Sequence, residues 1–176
     1  MMNYSRLCMT VLIPLLLAAP PLRAESESGR PDVAPVNNTE YGKECGECHF
    51  AYQPGLLPSD SWQKLMTSLD DHFGENAELD EAIAGRLTEY LVKNAADKVT
   101  SGRSRSIMRS LGSARPLRIT EASYFKREHG EIPRRLIEYN NEVRSLSNCG
   151  NCHTTAHLGD YSERGIDIPG YGRWDD

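Results

Sequence analysis

Cys149-Gly150-Asn151-Cys152-His153 and Cys45-Gly46-Glu47-Cys48-His49 are two copies of one pattern, C-x-x-C-H, in a chain of 176 residues. The spacing sets two thiols on a single short turn, from which both can add to the vinyl groups of one porphyrin. The histidine that follows then falls beneath the iron. Together the copies hold every cysteine except Cys8. They imply two covalently attached haem c groups, with Cys45, Cys48, Cys149 and Cys152 as attachment points and His49 and His153 as proximal ligands. Other uses of paired cysteines fit less well. A zinc ribbon sets its pairs about 15 to 20 residues apart, against the 100 residues between Cys48 and Cys149. A thioredoxin-type motif needs one C-x-x-C on a βαβ pattern, and no strand alternation is present. Structural disulfides would leave the two trailing histidines without a purpose.

Residues 1–24 read as a secretory signal: Arg6, an apolar stretch from Met9 to Ala19, then Leu22-Arg23-Ala24 before a polar run. Cleavage is expected near Ala24, taking Cys8 with it. The apolar stretch falls short of the about 20 residues that span a bilayer, so no stable transmembrane segment is expected after cleavage. Signal and pentads together place the mature chain in a bacterial periplasm. Of 20 Lys+Arg and 25 Asp+Glu, the signal removes only Arg6 and Arg23, leaving a net charge of −7. Such a chain is a poor nucleic-acid binder, which must neutralise phosphates, but it suits electrostatic docking to a basic redox partner. At 39% hydrophobic residues over the whole chain, the apolar core is thin, and two porphyrins would supply much of the missing apolar surface.

The expected fold is mainly α, a small c-type cytochrome of short helices and long loops around two haems. Residues 25–38 read as a flexible leader, 39–98 as a first haem-binding half, 99–118 as a solvated Ser/Gly/Arg connector and 119–176 as a second half, with 39–176 forming one cooperative domain; the alternative for Arg103, Arg105, Arg109, Arg115 and Arg118 is that some pair with haem propionates or meet an acidic partner surface. In the first half, Trp62, Leu65, Met66, Leu69 and Phe73 recur at helical spacing after a start at Ser59-Asp60-Ser61, with Gly74 as a left-handed cap. Asn76 is expected to cap a second helix with Leu79, Ile83, Leu87, Tyr90 and Leu91 on its stripe. In the second half, Thr120 is expected to cap a helix from Glu121 to Glu128 closed by Gly130. Ile132, Leu136, Tyr139, Val143 and Leu146 predict another helix leading into Cys149.

Beyond His49 and His153, three histidines are available for two distal positions: His72, His129 and His157. His72 falls on the buried stripe of its predicted helix. His157, four residues after His153, would project from the proximal side if the chain is helical there. Methionine is the rival ligand, but Met66 fits a helix core and Met108 lies in the connector.

The two pentads, Ser61-Trp62-Gln63-Lys64-Leu65-Met66 running to Leu69, His72-Phe73-Gly74-Glu75, and Ile119-Thr120-Glu121 through to His129 resemble the bacterial dihaem cytochrome c family. The likeness extends over nearly the whole chain after residue 24. It implies bis-histidine ligation, His49 with His72 and His153 with His129, with His157 competing for the place of His129. It also implies an electron carrier rather than an enzyme, with a monohaem cytochrome or a membrane b-type cytochrome as redox partner. A haem enzyme would instead need an open iron position beneath acid–base groups.

Overall fold

The computed structural model describes residues 31–174, so the expected signal lies outside the described residues. Five α-helices, single turns of 3-10 helix and one two-stranded hairpin make up the regular structure: α1 Thr39–Gly46, α2 Ser59–Met66, α3 Glu81–Lys93, α4 Gly102–Leu111, α5 Ser123–Glu128, β1 Asp167–Ile168 and β2 Gly172–Arg173. The fold is mainly α with short helices and long loops, as the sequence predicts. The hairpin, Ile168 opposite Gly172, is too short for alternation to reveal it. Among the described residues no helix is long and apolar enough to cross a membrane.

Helix α1 starts where the Asn38 side chain accepts from the Tyr41 backbone N–H at 2.9 Å. Buried Tyr41 then donates its hydroxyl to the Tyr52 carbonyl at 2.8 Å. Helices α2 and α3 pack Trp62 and Leu65 against Leu87 and Leu91, the first of three apolar clusters. Asp97, beyond α3, closes the start of α2 by accepting from the Ser59 N–H and hydroxyl, both at 2.7 Å.

Helix α2 ends at Met66, earlier than the predicted stripe. The Thr67 and Ser68 hydroxyls both donate to the Lys64 carbonyl, offering the backbone a competing partner. The chain then makes a 3-10 turn at Leu69–Asp71 and a tight turn in which Phe73 and Gly74 have φ of 61° and 99°. Gly74 therefore serves a turn after the helix rather than capping it, and Phe73 is 42% exposed instead of buried. The cap of α3 is Asp80, which accepts from the Ala82 and Ile83 N–H groups. Asn76 instead accepts from the Glu78 N–H within the preceding loop.

Residues 99–118, expected as a solvated connector, carry α4. Its Ile107 and Leu111 join Val33, Leu56 and Ala122 in the second cluster. Ser104, fully buried, donates to the Gly55 carbonyl at 2.7 Å. The helix buries so few apolar residues that its stripe is illegible in a run of Ser and Arg. Residues 31–38, expected as flexible leader, are docked: Val33 is fully buried and its N–H donates to the Gly159 carbonyl at 3.1 Å. Gly159 has φ of 76°, and a Cβ there would lie 2.0 Å from the Val33 carbonyl oxygen. Gly159→Ala is expected to cost more than about 2 kcal/mol, because conformational strain and backbone overlap add. A thermal melt of the variant within a degree of wild type would contradict this.

Helix α5 begins after a 3-10 turn at Ile119–Glu121, with Ala122 rather than Thr120 at its cap position. The helix predicted over 132–146 is absent. In its place stand a 3-10 turn at Arg134–Leu136 and successive turns, with Arg144 at φ 63°. Asparagine side chains divert the backbone there: Asn140 accepts from the Glu142 N–H and Asn148 donates to the Val143 carbonyl. Ile137 and Val143 are nonetheless buried, with Ile168, in the third cluster, while Tyr139 is 77% exposed.

Candidate haem sites

The end of α1 delivers the first pentad. Cys45 lies in its last turn, Cys48 is exposed just beyond, and His49 follows. The His49 Nδ1 is 2.7 Å from the Phe50 carbonyl. A carbonyl only accepts, so this nitrogen carries the proton and the Nε2 lone pair is free for a metal. The turn after α2 brings His72 opposite it, anchored by its N–H donating to the Glu75 carbonyl at 2.7 Å. The two ring centroids are 6.1 Å apart and the rings lie 17° from parallel. Arg118 covers this site, its guanidinium 3.8 Å from the Phe73 ring centroid. A cavity of about 360 Å³ adjoins His72, lined also by Leu65, Phe73, Leu117 and Arg118 but by neither His49 nor the two cysteines.

The second pentad opens with a 3-10 turn, Cys149–Asn151, and Cys149, Cys152 and His153 line one cavity of about 320 Å³ with His129. His129 closes the end of α5, its Nδ1 3.0 Å from the Phe125 carbonyl, which fixes the proton on Nδ1. The Phe125 ring lies flat on the imidazole at 3.8 Å and 9°, fixing its plane. Centroids of His129 and His153 are 6.1 Å apart, at an interplanar angle of 65°. His157 is exposed and away from the cavity lining.

Two imidazoles bound to opposite sides of one metal atom have centroids about 6.2 Å apart, from bonds of about 2.0 Å and a ring nitrogen about 1.1 Å off each centroid. Both histidine pairs match that distance, and each stands beside its own pair of cysteines. Burial pushes the His153 imidazole down to about 4, helped by neighbouring His129 and Arg103. Burial also lowers His72, with His49 and Arg118 adding to the effect. Both rings are therefore neutral at physiological pH, the form that ligates. The Nδ1 atoms of His72 and His153 are buried without a hydrogen-bond partner. The four cysteines are unpaired, and burial raises Cys45 and Cys149 to about 11. A disulfide-exchange or thiolate metal site needs the opposite shift.

Tyr52 joins the two sites. Its ring stacks on His49 at 5.1 Å and 28°, and its hydroxyl donates to the Ser147 carbonyl at 2.8 Å, two residues before Cys149. Sequence reasoning missed this residue and Gln53, whose partners Ser147, Ala156 and Tyr161 lie far away in the chain, and missed Phe125, which stands only four residues before His129. Gln53, fully buried, donates to the Ala156 carbonyl and accepts from the Tyr161 hydroxyl, whose ring edges against His153.

The sequence model of the dihaem cytochrome c family matches residues 41–161. The chain belongs to the dihaem cytochrome c family. A dihaem cytochrome c of Shewanella baltica OS155 is 43% identical, with 78% of this chain and 98% of that one covered at a TM-score of 0.65. A dihaem cytochrome c from Rhodobacter sphaeroides is 44% identical over 73% of this chain and 100% of that one, also at 0.65. No curated protein sequence matches significantly. As a dihaem cytochrome c, the protein carries two haem c groups with iron, and electron transfer is the general role of such a chain.

Proposed function

We propose that this dihaem cytochrome relays electrons in a bacterial periplasm through two bis-histidine, low-spin haems. Cys45 and Cys48 attach the first, ligated by His49 and His72; Cys149 and Cys152 attach the second, ligated by His153 and His129. The observation that carries the reading is the 6.1 Å centroid separation in both histidine pairs. The N-terminal sequence of residues 1–24 supports export.

Each haem, when bound, supplies a one-electron centre. The protein's part is to hold that centre still. Phe50 and Phe125 carbonyls orient His49 and His129 and raise their basicity. Two imidazoles per site, in place of an imidazole and a thioether, favour low potentials. With His49 and His72 holding one iron and His153 and His129 the other, no position would be left for a substrate, which favours a carrier over a haem enzyme. The expected partners are redox proteins, a monohaem cytochrome or a membrane b-type cytochrome, and the acidic net charge favours a basic docking face.

Absorption spectra of the purified protein, oxidised, reduced and reduced under carbon monoxide, test the reading. Low-spin spectra in both oxidation states, unchanged by carbon monoxide, are expected. A carbon monoxide adduct of the wild-type protein would show an open iron and overturn it.

A further inference from the structure

Arg103, in the first turn of α4, lines the same cavity as Cys149, Cys152, His129 and His153. Its guanidinium is held from three sides. Nη1 donates to the Tyr124 hydroxyl at 3.0 Å, and Nη2 donates to Asp32 Oδ2 at 2.8 Å and to the Tyr161 carbonyl at 3.2 Å. The rings of Tyr124 and Tyr161 flank the cation at 5.8 and 5.7 Å. Asp32 is also occupied by the Tyr161 N–H at 2.9 Å. One nitrogen is left without a bond: Nε is buried and has no partner among the protein atoms.

A buried N–H of a charged group left unpaired is costly, so an acceptor is called for in this cavity. The propionate carboxylates of haem c supply an acceptor of matching charge, and an arginine N–H to a carboxylate is among the stronger hydrogen bonds. We propose that Arg103 is the propionate anchor of the second haem, with Asp32 and Tyr161 orienting its guanidinium so that Nε faces the cofactor. The proposal rests on the assignment of that haem to Cys149, Cys152 and His153. An anchored cation beside one haem also favours its reduced form, so Arg103 sets the potential of the second haem relative to the first.

The test uses the intact dihaem protein, with the two potentials resolved by spectroelectrochemical titration and the propionate-bending bands recorded by resonance Raman. Arg103→Gln is expected to keep both haems attached, to shift the propionate band of one haem, and to make that haem about tenfold harder to reduce, 59 mV lower. Asp32→Asn breaks the same latch but leaves the cation, so the same haem is expected to become easier to reduce. Shifts of equal sign in the two variants would mean that the latch only holds the fold together, and would overturn the anchor. So would an unmoved propionate band in Arg103→Gln. Wild-type protein lacking a haem at Cys149 and Cys152 would overturn the site assignment itself, a result that intact mass distinguishes from both.

Discussion

The double variant Cys149→Ser, Cys152→Ser is expected to be secreted with one haem in place of two, and with residues 132–174 no longer ordered. The third cluster has only three buried residues, Ile137, Val143 and Ile168. Around it Leu136, Leu146, Ile166 and Trp174 turn toward the cavity that the porphyrin would fill. Emptying a cavity of about 320 Å³ costs at most about 8 kcal/mol at roughly 24 cal/mol per Å³. That upper bound is comparable to the whole stability of an ordinary domain, about 5 to 15 kcal/mol. The region therefore depends on its cofactor for order. Intact mass counts the haems, and hydrogen exchange reads the order of 132–174. A product with two haems, or one haem with unchanged protection over this region, would contradict the expectation.

Removing the distal imidazoles is expected to change the chemistry without removing a haem. His72→Ala and His129→Ala should each bind one equivalent of carbon monoxide when reduced, and the double variant two. Added imidazole should enter the vacated position and restore the low-spin spectrum, which a merely structural role for either histidine would not allow. The two sites should differ in how firmly their ligand is held. His129 is pinned by the Phe125 ring and carbonyl, whereas His72 sits on a turn next to Phe73 at φ 61°. A spectrum unmoved by both substitutions would show that these residues are not the distal ligands.

The pentads were legible because haem attachment requires fixed residue types at a fixed spacing, and long-range structure cannot alter that. Leu87 and Leu91 were legible because α3 is long enough to show its period. Helix α4 was not: it buries Ser104 beside Ile107 and Leu111, and a buried serine carries no periodic signal. In 132–146 the apolar residues keep helical spacing, yet Asn140 and Asn148 bond the backbone into turns, so the period misleads. His72, His129 and His157 could be named as candidates from their type and supply. The pairing of His72 with His49 and of His129 with His153 came only from the family resemblance, since the residues alone do not show where α2 and α5 stop. Arg103 read as part of a charged run, because Asp32 and Tyr161, which hold it, stand at opposite ends of the described chain.

The strap from Val33 to Gly159 bears on the order of events in the cell. A ribosome makes Val33 early and Gly159 late, so the start of the chain must wait, undocked, until its tail has arrived. The final closure of the molecule belongs to the later-made of these two segments. Maturation thus has a built-in endpoint: the tether at the beginning of the chain engages only once the end is in place.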